Sequence, residues 1–144
     1  SFNRISGFQE ACDAVDGLTA RTLAVQKGDS ILDAAISEIM AQDNPPTALC
    51  FHQDSQAIPL FFRLQRSGLS VPGDISVTGF DDSTFAKEAE LTTVRQRPYD
   101  MAVDAAQKAL ALIEGQPIEE PFETFPVQLQ VRNSTAKPRT APLL

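Results

Sequence analysis

The sequence predicts an α/β domain built as three layers, a parallel sheet with helices on both faces. Two observations carry that prediction. Segments with apolar residues at spacings of three and four alternate with short apolar runs bounded by turn residues. The short runs are separated by segments long enough to be helices, and strands joined this way pair in parallel through right-handed crossovers. The chain has 144 residues, of which 42% are hydrophobic and 22% charged, which suits one globular domain. It contains no internal repeat and no low-complexity segment.

The elements follow in order. Ile5, Phe8, Cys12 and Val15 mark a helix over 4–16, and Gly17 is a natural stop. Residues 21–26 form a short strand. Lys27, Gly28 and Asp29 turn the chain, and Ser30 with Asp33 caps a helix bearing Leu32, Ala35, Ile36, Ile39 and Met40 on one face. Asn44-Pro45-Pro46 ends it. Residues 47–51 read as a buried strand. A helix spans about 55–67, with Pro59 inside it and Gly68 as its stop. The turn Val71-Pro72-Gly73-Asp74 leads into a strand over 75–80. Another strand covers 91–95. Pro98 opens a helix where its missing N–H does no harm. That helix buries Ala102, Ala105, Ala106, Ala109 and Ile113 and ends at Gly115. A last strand covers 122–131, and the chain from Asn133 onward reads as a loose tail. The sheet has five or six strands.

Composition narrows the function. The net charge is −7, and no two of the twelve Lys and Arg residues are adjacent. Nucleic-acid binding rests on basic patches that neutralise phosphates, so this segment is not expected to touch DNA itself. No apolar run approaches the roughly 20 residues of a membrane helix. The start, Ser1-Phe2-Asn3-Arg4, resembles neither a secretory nor a transit signal; a helix pattern begins almost at once, as in a chain cut mid-domain. Cys12 and Cys50 belong to no CxxC, and His52 is the sole histidine, so no metal site is expected. Both cysteines read as small core residues in a reducing cytoplasm.

Open parallel sheets bind ligands at the carboxyl ends of their strands. That edge gathers Arg4, Asp29, Ser30, His52, Gln53, Asp54, Asp81, Asp82, Gln96 and Arg97. A carboxylate accepts from two neighbouring hydroxyls and a guanidinium donates to two oxygens, which suits a ligand rich in hydroxyls. Asp54 and Asp82 also suit helix capping, and Asp29 suits a turn; Asp81 has no such local role. No GxSxG, HExxH, P-loop or GxGxxG is present, so no catalytic residue and no cofactor is assigned. A magnesium site at Asp81-Asp82 would echo phosphate-accepting receiver domains, but there the acidic pair follows the first strand and a lysine stands at a late strand tip.

The run from Val71 to Asp82 is similar to the "VPxDISVxGFDD" signature of the lactose-repressor/galactose-repressor (LacI/GalR) family. Leu91 to Gln96 resembles its "LTTVRQ", Arg4 to Phe8 its "RxxGF" helix start, and Val131 to Thr135 its "VxRxST" ending. The resemblance covers Arg4 to Thr135. It implies the C-terminal lobe, residues 1–135 with a tail over 136–144, of a two-lobed effector-binding domain with the periplasmic-binding-protein-like (type I) fold. It further implies a cytoplasmic transcriptional repressor that reaches operator DNA only through a helix-turn-helix headpiece before this segment. The ligand residues it implies are Arg4, Asp81 and Gln96. Gln53 stands where the family has an asparagine, and Ser30 where sugar-binding members carry a stacking aromatic. The helix after Asp54 resembles a dimer contact, with Ile58 and Phe62 facing a second subunit; Pro59 and Glu88-Ala89-Glu90 depart from the pattern there. The alternative is a lobe of a periplasmic sugar-binding protein of an ABC transporter, which shares the fold.

Overall fold

A computed structural model of the protein describes residues 2–23, 34, 36–38 and 40–140. Its elements are α1 (Phe2–Asp13), β1 (Ala48–Cys50), α2 (Asp54–Arg66), β2 (Ser76–Thr78), α3 (Thr84–Glu88), β3 (Thr93–Arg95), α4 (Pro98–Ile113) and β4 (Gln128–Gln130). Residues 34, 36–38 and 40 are helical, within the helix expected there. Strand residues 24–26, Asp29 and Ser30 lie outside the described residues. Residues 21–23 are exposed and form no strand.

β1 and β2 pair in parallel, with Ala48 opposite Ser76 and Cys50 opposite Thr78. A parallel bridge from Thr78 to Thr92 brings β3 alongside β2. β3 and β4 pair antiparallel, with Thr93 opposite Gln130 and Arg95 opposite Gln128. The last strand therefore departs from an all-parallel expectation. α4 carries the chain away from the end of β3, and residues 114–127 bring it back to that same end, so β4 can only run downward beside β3.

The core lies where α2, β2 and α3 meet. Ala57, Leu60 and Leu64 recur at three- and four-residue spacing on α2, and they close against Ile75, Val77, Ala86 and Leu91. Ile36, Met40 and Leu49 border this cluster. In β1, Leu49 is half-buried while Ala48 and Cys50 on either side are exposed, as the two-residue period of a strand requires. Cys50 is thus an exposed free thiol, not the core residue expected, whereas Cys12 is buried. Pro59 occupies the sixth position of α2. It removes the amide that would bond the Ser55 carbonyl; both residues are exposed, so solvent can serve that carbonyl.

α4 buries none of its side chains, contrary to the expectation for Ala102, Ala105, Ala106, Ala109 and Ile113. Its apolar side chains are exposed, Leu110 at 55%, Leu112 at 64% and Ile113 at 82%, and so is Phe122, nine residues past the helix, at 92%. The segment after Asn133 departs from expectation in the other direction. Ser134 is fully buried. Its hydroxyl donates to the Val77 carbonyl at 2.6 Å and accepts from the Thr92 amide at 2.8 Å, filling the gap where β3 begins. Arg139 donates to the carbonyls of Pro45, Pro46 and Asp74, which tethers residues 134–139 across the entry ends of β1 and β2.

Candidate functional site

Three strand ends deliver the site. β1 continues into His52 and Gln53, β2 into Phe80, Asp81 and Asp82, and β3 into Gln96. Backbone bonds keep these ends in register. The Phe51 amide donates to the Thr78 carbonyl at 2.9 Å, the Asp54 amide to the Phe80 carbonyl at 2.8 Å, and the Asp81 amide to the Val94 carbonyl at 2.9 Å.

Arg4 reaches this edge from α1. Its Nη1 donates to the His52 carbonyl at 2.6 Å, and its guanidinium lies 3.8 Å above the Phe80 ring. A cation over an aromatic face is attracted by the ring quadrupole, so Phe80 and His52 together fix a guanidinium that still has N–H groups to offer. Asp81 is exposed. Its Oδ1 accepts from Gln96 Nε2 at 2.7 Å, and Oδ2 is left for another donor. Gln53 is half-buried at the head of α2, and its side chain makes no capping bond. The structure thus joins Arg4 to the end of β1 and Asp81 to Gln96, with Phe80 linking the two pairs along one strand end. Ser30 lies outside the described residues.

Asp54 and Asp82 are not the helix caps that the sequence suggested. Gln53 is the N-cap of α2, and Ser83 caps α3 by accepting from the Ala86 amide. Asp54 is buried, 1% exposed, and its carboxylate takes the Thr93 hydroxyl at 2.6 Å and the Ser83 amide at 2.8 Å. Gly79 makes room for it: a Cβ there would collide with Asp54 Oδ1 and press on Leu91. Asp82 accepts from Arg95 Nε at 2.6 Å and from Arg132 Nη2. Burial pushes its carboxyl upward, but the bonds and charges of Arg132 and Arg95 outweigh burial and hold it below the ordinary value of 3.8. Arg132 also donates to the Leu91 carbonyl at 2.7 Å.

Asp81 and Asp82 adopt φ of 116° and 55°. Non-glycine residues rarely occupy this region, at a cost of about 1–3 kcal/mol each. A rim read from polar side chains alone omits Phe80. The signal was available, since Phe80 immediately precedes Asp81 at the same strand end. Among the described residues no group of His, Cys, Asp and Glu is arranged to hold a metal ion, and no helix is long and apolar enough to cross a membrane.

The family profile described as "Periplasmic binding protein-like domain" matches residues 1–135. The chain belongs to the periplasmic-binding-protein-like domain family. Its relatives within that family are regulators of the LacI/GalR type, as the sequence motifs implied. It is 33% identical over 141 residues to the HTH-type transcriptional regulator GalR of Escherichia coli K12, covering 94% of this chain and 41% of that one. A LacI family transcriptional regulator from Bifidobacterium animalis superposes with a TM-score of 0.80 at 27% identity, over 94% of this chain and 50% of the other. The transcriptional regulator CelR, in complex with cellobiose, superposes with a TM-score of 0.77 at 29% identity, over 92% and 42%. The chain therefore spans half or less of the length of these relatives.

Proposed function

We propose that residues 1–135 are the C-terminal lobe of a two-lobed effector-binding domain in a LacI-type transcriptional repressor that responds to a small polar molecule, a sugar or a related metabolite. The observation that carries this reading is the rim: a fixed guanidinium, an open carboxylate and two carboxamides, all at the carboxyl edge of one sheet. Arg4 donates where a ligand has oxygens, and Asp81 accepts where it has hydroxyls. Phe80 offers an aromatic surface at the rim, although the Arg4 guanidinium covers one of its faces. The reading assigns no catalysis, no cofactor and a cytoplasmic location. The lobe holds one side of a cleft, and effector closes the second lobe onto it.

Two further observations support the assignment. The exposed apolar side chains of α4 and Phe122 are what a second lobe would cover. The chain's net charge of −7 fits DNA contact through a headpiece of the longer protein rather than through this segment. The protein acts as a homodimer through α2, with Ile58 and Phe62 toward the partner. Phe62 is 49% exposed and lies edge-to-face with Phe61, and Ile58 is partly buried against the core. Effector then represses or releases by binding the two lobe arrangements with different affinity.

A thermal-shift screen of the full-length protein against sugars, nucleobases and phosphorylated metabolites tests the proposal. A ligand present at a hundredfold its Kd stabilises by about 2.7 kcal/mol, so at least one polar metabolite should raise the melting temperature by several degrees. A flat response across all three classes would sink the reading.

A further inference from the structure

Residues 81–83 are fastened at every backbone amide. Asp81 N–H donates to the Val94 carbonyl at 2.9 Å, Asp82 N–H reaches the Thr93 hydroxyl oxygen at 3.4 Å, and Ser83 N–H donates to Asp54 Oδ2 at 2.8 Å. The Thr93 hydroxyl in turn donates to Asp54 Oδ1. The Asp82 side chain turns inward to Arg95 of β3 and to Arg132, just beyond β4. Ser83 spends its side chain on capping α3. Of the three side chains, only that of Asp81 points out to the rim, and it does so from a backbone conformation that an aspartate does not hold unaided.

We infer that Asp54 and Asp82 are positioning residues for the ligand-facing carboxylate of Asp81. Asp54 holds the backbone of the turn from the α2 side by way of Thr93 and Ser83. Asp82 ties the same turn to β3 and to the chain leaving β4 through its two arginines. Each is buried, and each gives its oxygens to the turn, to the hydroxyl that supports it or to the strands beside it. With the turn pinned at both ends, Asp81 is aimed before ligand arrives, and binding pays less to order it. The inference rests on the proposed role of Asp81 as an effector contact.

The test combines amide hydrogen exchange with calorimetry on the full-length protein, using D-galactose and cellobiose as probes. Asp82→Asn and Asp54→Asn are expected to speed exchange at Asp81, Asp82 and Ser83 by about tenfold or more. Exchange at Val77, whose amide bonds the Ser134 carbonyl in the core, should speed by no more than the variant's loss of global stability accounts for. Affinity for whichever probe binds the wild type should weaken about tenfold. Arg132→Lys, which keeps the charge, should recover part of both effects relative to Arg132→Met. If Asp54→Asn does not fold, Thr93→Val removes the intermediate hydroxyl and carries the same expectation. Unchanged exchange at 81–83 in Asp82→Asn would overturn the inference, as would undiminished probe binding once protection is lost. If the wild type binds neither sugar, the calorimetry uses the ligand that most raises the melting temperature in the thermal-shift screen, and undiminished binding of that ligand in Asp82→Asn overturns the inference.

Discussion

Replacing Arg132 by methionine removes one of two cations from a carboxylate that is buried in the interior. The Asp82 side chain is 2% exposed, Arg132 14% and Arg95 46%. Stripping one partner from a fully buried pair costs about 3–5 kcal/mol. Here Arg95 remains, so the loss should fall below that range. The Leu91 carbonyl also loses its bond from Arg132, adding about 1 kcal/mol. The two together put Arg132→Met at about 2–3 kcal/mol. For a domain of this size that lowers the melting temperature by roughly 5–10 °C. Urea titration and thermal unfolding at pH 7 measure it, with Lys108→Met as a control. Lys108 pairs with Asp104 at 2.8 Å along one face of α4 and with Glu123 at 3.6 Å, and solvent screens both pairs, so its loss should be the smaller one. The sign of the pH dependence follows from Asp82. Its carboxyl is held below 3.8 in the folded protein, so its contribution is fully present above the unfolded value. It fades as pH falls through the folded value, and the gap between wild type and Arg132→Met narrows over that acid range. An Arg132→Met loss no larger than that of Lys108→Met, or a gap that widens toward low pH, would mean that Arg132 does not stabilise the buried Asp82 carboxylate.

Gly79→Ala places a methyl group against the Asp54 carboxylate and Leu91, both buried. Overpacking of this kind costs about 1–3 kcal/mol, read as a drop in urea midpoint, and it should also weaken effector binding through Asp54. Arg139→Ala releases three carbonyls at the entry ends of β1 and β2. It should cost about 1–2 kcal/mol in the same titration, whereas a loose tail would give no change.

The sheet edge was legible in the sequence because strand ends and helix starts are marked by local chemistry: apolar runs that stop at Gln53, Asp81 and Gln96, and turn residues between them. The register that brings Asp81 to Gln96 is a product of pairing between strands, and no local pattern encodes it. The inward turn of Asp82 was illegible for the same reason. Its partners stand 13 and 50 residues away, so capping was the nearest role that a local reading could offer. The exposed face of α4 was misread because helical periodicity reports that a face wants cover without saying what covers it. The segment after Asn133 looked like a tail from its proline and polar content, yet Ser134 is polar because it satisfies two backbone groups between β2 and β3. Phe80 belongs to the site through the stacking of Arg4 from α1, a contact that spans about half of the chain.

Arg4 and Asp81 are the side chains proposed to contact a polar effector. Calorimetry of the full-length protein, with the ligand that most raises its melting temperature, tests this most directly. Each side chain would supply a hydrogen bond from a charged group, worth about 1.5–3 kcal/mol. Arg4→Ala and Asp81→Ala are therefore predicted to weaken binding by about ten- to a hundredfold while the protein remains folded. Wild-type affinity in both variants would mean that neither side chain contacts the effector.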